Sequence, residues 1–201
     1  AGLAALDIGD GDVVLTTALT SVGTAHAIRM AGVDVAFADI DPETYNIDPA
    51  SVETTLHERN GEIDAIHVCH HHGLPAEMRR LREIADRYEI PLIEEASQAL
   101  GGTYRGQSVG SFGDIGWFSL SPTKNMTAGQ GGMLVTDRKR LADRARRFVD
   151  PDRDGRPGQT QCGQSSRLSE LAAALGRVQL ARLPAFVGTR RQHARHLREE
   201  L

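Results

Sequence analysis

Short runs of apolar and branched residues recur along this chain, each too brief for a helix and each followed by a turn or an amphipathic stretch. That alternation restricts the fold to an α/β class with a mostly parallel sheet, because strands buried on both faces lose the polar alternation of a half-exposed strand. "DVVLT" from Asp12 reads as the first strand and "VDVAFADI" from Val33 as the second, with the helical segment "SVGTAHAIRMAG" ended by Gly32 between them. The Asp48-Pro49 pair starts the next helix, since aspartate caps a helix and proline suits its first turn. "IDAIHVC" then reads as a third strand, and "PAEMRRLREIADRYE" as a helix with Pro75 near its first turn. "IPLIEE" reads as a fourth strand leading into a helix-like "ASQAL". "DIGWFSLS" and "GGMLVT" complete the strands, and "RKRLADRARRFV" is an exposed, arginine-rich helix.

Residues 150–166 are polar and rich in glycine, proline and aspartate, the composition of a long loop, and a loop of that length usually serves a function. The remainder has a helical period interrupted at Pro184. Residues 1–182 are therefore expected to form one large domain, and residues 183–201 a charged helix leading to a further domain. The chain opens at Ala1 in what reads as a helix end, so a preceding segment is expected.

Of the 201 residues 25% are charged, with a formal net charge of -4, which argues against a nucleic-acid or membrane surface as the main partner. No apolar run approaches the roughly 20 residues that span a bilayer. Cys69 and Cys162 cannot make a disulfide framework, and free thiols in a cytoplasmic protein are expected.

Lys124 stands off any helix face, after the apolar Trp117, Phe118 and Leu120 and before Gly129, Gly131 and Gly132, which allow close backbone approach to a ligand. A lysine amine is a nucleophile only when neutral, so such a position suits covalent chemistry; a solvated loop lysine is the plainer alternative. Ser119 and Ser121 alternate with bulky residues and lie on one strand face, where hydroxyls could bind phosphate oxygens. Glu94 and Glu95 fall at the carboxyl end of a buried strand, where parallel sheets bind ligands. A carboxylate there could pair with a protonated ring nitrogen, and Gln98, about one helical turn later, could hydrogen-bond the same ligand; acidity at a helix start is the alternative. In "HVCHHHG", strand alternation puts His67, Cys69 and His71 on one face, but neighbouring His70 and His72 cannot share one ion with them and no distant ligand pair completes a metal set. No glycine-rich dinucleotide fingerprint or phosphate-binding loop motif occurs.

Together, "GDVVLTTALTSVGTAHAI", "GVDVAFADIDPETYNIDP", "CHHHGLPAEM", "PLIEEASQALGGTYRGQSVGSFGDIGWFSLSPTKNMTAGQGGMLVTD" and "GQSSRLSELAAALGRVQL" resemble, in order and along almost the whole chain, the DegT/DnrJ/EryC1/StrS family of sugar aminotransferases. The resemblance implies the large domain of a fold-type-I pyridoxal-5'-phosphate-dependent transferase, a homodimer in the cytoplasm. The activity it implies is transamination of a keto group on a nucleotide-linked sugar or cyclitol, with glutamate or glutamine as donor, in polysaccharide or antibiotic biosynthesis. Lys124 matches the lysine that forms the internal Schiff base, Ser119 a serine on the cofactor phosphate, Glu95 an aspartate paired with the pyridinium nitrogen, and Gln98 a glutamine beside the phenolic oxygen. Ser165 matches an asparagine that reaches the partner's phosphate, and Arg167 an arginine of structural role. Ser21 stands where an aromatic residue stacks on the cofactor ring, a contact of about 0.5–1.5 kcal/mol. His72 and Leu74 replace a tyrosine and a polar residue. The family's phosphate loop before the first matched block and its small domain fall outside the sequence.

The departures at Ser21, Glu95 and Ser165 leave as an alternative a non-catalytic relative serving as partner or scaffold; a pyridoxal-phosphate-dependent sugar dehydratase, in which a histidine often replaces the lysine, is a further one, against which Lys124 counts.

Overall fold

The computed structural model describes residues 1–149. In chain order the elements are α1 (Gly2–Ala5), β1 (Val13–Thr17), α2 (Val22–Met30), β2 (Asp34–Ala38), α3 (Pro49–Arg59), β3 (Ala65–Cys69), a 3-10 turn (His71–Gly73), α4 (Met78–Arg87), β4 (Leu92–Glu95), a small hairpin of β5 (Thr103–Tyr104) and β6 (Gln107–Ser108), β7 (Ile115–Ser119), β8 (Gly132–Val135) and α5 (Lys139–Val149). The main sheet has six strands in the order β2-β1-β3-β4-β7-β8. All neighbours pair in parallel except β8, which returns antiparallel beside β7.

Burial explains the strand composition. Val14, Ala65 and Ile93 point to one face and cluster with Leu3 of α1 and Ile28 of α2. Leu15, Ile66 and Leu92 point to the other and cluster with Val52 and Leu56 of α3 and Leu81 and Ile84 of α4. Both faces are thus covered, and burying each such side chain is worth about 1.5–3 kcal/mol. Helix ends follow local chemistry. Asp48 caps α3 by accepting from the Ala50 N–H at 2.9 Å, with Pro49 in the first turn and Asn60 left-handed at the end. Gly32 takes a positive φ of 80° just beyond α2.

Two expected helices are corrected. The segment after β4 is not helical: Ala96 to Gly102 forms consecutive turns, with Ala99 N–H donating to Ala96 O and Gly102 N–H to Ala99 O. Glu95 Oε1 accepts from the Ser97 N–H at 2.9 Å, turning the chain at once toward the β5–β6 hairpin. The third helix begins at Met78 rather than near Pro75, because the Ala76 N–H donates to His70 Nδ1 and the Met78 N–H turns back to Ala76 O, which keeps residues 75–77 out of the helix. The loop at residues 150–166 and the helix at 183–201 lie outside the described residues.

Candidate active site

Parallel pairing brings the carboxyl ends of β1, β3, β4 and β7 to one edge of the sheet, at Thr17, Cys69, Glu95 and Ser119. The chain leaves β1 for β2 on one side and continues to β3 on the other, so the strand order reverses between β1 and β3. Open parallel sheets bind ligands outside such a reversal.

Glu94 and Glu95 are buried, and alternation sends them to opposite faces. Glu94 is fully enclosed. Its Oε2 accepts from His70 Nε2 at 3.1 Å and the Gly110 N–H at 2.6 Å, and its Oε1 accepts from the Phe112 and Gly113 N–H groups at 2.5 and 2.6 Å. It is a loop anchor rather than a helix-start acid. Glu95 sits on the other face with far weaker support: one N–H from Ser97 and a Cys69 thiol at 3.8 Å. Among the described residues no cation forms a salt bridge with it.

Gln98 lies in the turn after β4, where its Oε1 accepts from the His72 N–H at 3.0 Å, leaving its amide nitrogen as donor. Ser119 ends β7; its hydroxyl donates to Ser121 Oγ at 3.1 Å and accepts from the Ser121 N–H, so both hydroxyls sit together. The Ser119 N–H in turn donates to Ser97 Oγ at 2.7 Å.

Lys124 is half-buried in the connection from β7 to β8. That loop is closed at its base by Ala128 N–H to Leu120 O and Leu120 N–H to Gly131 O, and Asn125 Nδ2 donates to the Gln98 carbonyl at 2.9 Å. The loop carrying Lys124 is therefore tied to the turn carrying Gln98. That turn follows Glu95 directly, so the loop carrying Lys124 is fastened beside the carboxyl end of β4. Gly129 and Gly131 both have positive φ, and a side chain at either would meet nothing within 4 Å. Their positive φ serves the turn.

Ser21 is exposed and caps α2, its hydroxyl accepting from the Gly23 N–H at 3.3 Å. Ser165 and Arg167 lie outside the described residues.

The histidine run divides. His67 and Cys69 share a face with Glu95, whereas His70 points to Glu94 on the other. His71 leaves the strand pattern, because β3 ends at Cys69 and His72 turns left-handed at φ 50°. Among the described residues no three His, Cys, Asp or Glu side chains converge as a metal ion needs. Burial pushes the Cys69 thiol up to about 12, helped by the Glu95 charge, so it stays a neutral donor. Burial likewise lowers His67 to about 4, against the opposing pull of Glu95. Two contributors are invisible in the sequence pattern: Ser97, which reads as part of a helix start, and Asn125, whose partner lies 27 positions away.

The family model of the DegT/DnrJ/EryC1/StrS aminotransferase family matches residues 1–201. The chain is 39% identical over 193 residues to a pleiotropic regulatory protein of Geobacillus stearothermophilus, covering 96% of this chain and 51% of that one. It is 36% identical over 200 residues to a UDP-N-acetyl-3-dehydro-alpha-D-glucosamine 3-aminotransferase of Acidithiobacillus ferrooxidans, covering 99% and 53%. It thus spans about half the length of these relatives. Among solved structures, NtdA of Bacillus subtilis with its bound cofactor PMP superposes with a TM-score of 0.68 at 32% identity, over 74% of this chain and 33% of that one. No helix among the described residues is long and apolar enough to cross a membrane. The chain belongs to the DegT/DnrJ/EryC1/StrS aminotransferase family, whose enzymes work with pyridoxal phosphate on this α/β fold.

Proposed function

We propose that the full-length protein is a pyridoxal-phosphate-dependent aminotransferase that converts a keto group on a nucleotide-linked sugar or cyclitol to an amine, drawing on glutamate or glutamine, and that it works as a cytoplasmic homodimer. The observation that carries this reading is the buried Glu95 carboxylate, without a cation among the described residues, on the same sheet edge as the loop that holds Lys124. The residues fit the group: an anion for a ring nitrogen, paired hydroxyls for a phosphate, an amide donor for a phenolic oxygen, and an amine. When bound, pyridoxal phosphate supplies an aldehyde that condenses with amines and a protonated ring that draws electrons from the reacting carbon.

The chain's own residues have distinct tasks. Glu95 keeps the proton on the ring nitrogen, and its burial strengthens that interaction. Ser119 and Ser121 offer hydroxyls to the phosphate, a fixed anchor that sets orientation. Gln98, with its carbonyl oxygen oriented toward the His72 N–H, turns its amide nitrogen outward as a donor, which suits an oxyanion. Lys124 attaches the cofactor and moves a proton at Nζ, which requires the amine to be partly neutral. The sugar substrate is supported by the 3-aminotransferase likeness.

Borohydride treatment of the full-length protein with pyridoxal phosphate should fix the cofactor's mass on the peptide containing Lys124, and Lys124→Ala should abolish both this labelling and turnover with keto-sugars. A regulatory role without chemistry is the second reading. It is favoured by Ser21, exposed where a stacking aromatic is expected, and by the likeness to a pleiotropic regulatory protein. An unlabelled Lys124 in the full-length protein would overturn the aminotransferase reading and leave this one standing.

A further inference from the structure

His67 is a buried polar side chain that the proposed chemistry leaves without a task. It is wholly buried on β3, with Nδ1 3.1 Å from Thr16 Oγ1 on β1 and Nε2 without a hydrogen-bond partner among the described residues. An orphaned ring nitrogen at full burial calls for a reason. β3 lies between β1 and β4, so an imidazole whose Nδ1 is bound toward β1 turns Nε2 toward β4. Cys69 and Glu95 are in register one strand step above His67 and Ile93, on the same face. The Trp117 ring, 5.0 Å from the imidazole and tilted by 34°, packs against it. Glu95, for its part, uses one strong and one weak donor out of about four acceptor positions.

We propose that His67 is a positioning residue for Glu95: Thr16 donates to Nδ1, Nε2 therefore carries the proton, and that N–H keeps the Glu95 carboxylate charged and aimed at the cofactor ring. A turn of the Glu95 side chain that exchanges the thiol for the imidazole N–H satisfies both groups. The proposal rests on the reading of Glu95 as the partner of the ring nitrogen. No covalent step is involved, and the imidazole stays neutral throughout. The low proton affinity that burial gives His67 agrees with a neutral donor, and the Glu95 charge lies within its field. The other titratable groups whose fields reach these side chains are Cys69 on the same strand, His70 and His71 beyond it, and Lys124 in the loop after β7. Cys69 is a neutral thiol, so it cannot supply the charge that the pair exchanges.

The test has an arm that needs no cofactor. Nitrogen NMR of the ligand-free full-length protein at neutral pH should show His67 as the Nε2–H tautomer; an Nδ1–H tautomer overturns the proposal. The second arm measures pyridoxal phosphate affinity against pH. His67→Leu should move the acidic limb of that profile up by about one pH unit, since the carboxylate loses a donor to its charged form, whereas His67→Gln, which keeps a donor, should restore it. A His67→Leu profile matching the wild type, with Glu95→Gln impaired, overturns the role of His67 alone. Wild-type affinity in Glu95→Gln overturns the reading of Glu95 and this proposal with it. Should His67→Leu fail to fold, the tautomer decides.

Discussion

Glu94 and Glu95 are adjacent and chemically identical, yet the pleat of one strand gives them opposite fates. Glu94 holds three backbone N–H groups and a histidine, and its replacement by alanine orphans all four in a closed environment. Glu94→Ala should lower stability by about 3–5 kcal/mol in denaturant melts, the range for breaking a buried charged network. Glu95→Gln should change stability by less than about 1 kcal/mol while removing most cofactor affinity. The doublet alone could not assign these parts. Alternation predicts that the two diverge, but which face carries the ligand depends on where the loops after β3 and β7 fold. His67 is legible in the same limited way. Its face follows from the strand period, whereas its burial depends on Trp117 two strands across. That burial has a consequence for stability. Its proton affinity is lowered from the ordinary 6.5 to about 4, so between these values the unfolded chain binds the extra proton. Stability is therefore fully present above about pH 6.5 and is lost as pH falls toward about 4, by about 3 kcal/mol in all. Urea melts across this window should show the loss, and His67→Gln should flatten it.

At the scale of elements, strands and capped helices were readable because their causes are local. Asp48-Pro49 and the apolar spacing of Met78, Leu81 and Ile84 act within a turn or two of chain. The failures share one cause. "ASQAL" has helical composition, but the Glu95 carboxylate draws the Ser97 N–H into a turn; the start of α4 is delayed by the ring of His70, six residues back from Ala76. In both cases a side chain fixed by the sheet outbids local propensity. The connection from β4 to β7 depends on a closer constraint. Gly116 on β7 lies directly against Gly110, whose Cα would be 2.8 Å from an added Cβ, and backbone cannot move aside as a side chain can. Gly116→Ala should cost about 3 kcal/mol, the upper end for overpacking. It should also loosen the N–H groups that Gly110, Phe112 and Gly113 give to Glu94, which amide hydrogen exchange would report as lost protection at those three positions.

Across the whole molecule the two edges of the sheet are built for different purposes. Among the described residues the carboxyl edge keeps donors and acceptors available: Glu95 forms no salt bridge, Gln98 has its carbonyl oxygen turned to the His72 N–H, and the Ser119 and Ser121 hydroxyls bind each other. Its assembly from strands and loops far apart in sequence is why the chemistry could be read from motifs but not its geometry. The amino edge is closed instead by Asp114, which precedes β7. One of its oxygens accepts from the Leu92 N–H at 2.8 Å and Arg82 at 3.0 Å, the other pairs with Arg138 at 2.5 Å, and its carbonyl accepts from Thr136. β4, α4, β7 and the turn before α5 meet at this one side chain. Burial alone would raise the proton affinity of Asp114, but the Leu92 N–H and the two arginines hold it below the ordinary 3.8. A depressed carboxyl stabilises the fold above its unfolded value and ceases to do so as pH falls through the folded one, so this contribution is lost only below about pH 4. That places it under the histidine window, and the two can be separated in one titration. Asp114→Asn should flatten the stability profile below about pH 4 while leaving the step from about 6.5 to 4 intact. Because this residue lies at the opposite end of the strands from Lys124, the same variant should bind pyridoxal phosphate in the full-length protein with unchanged affinity at neutral pH. A weakened affinity there would mean that the amino edge sets the geometry of the carboxyl edge through the strands themselves.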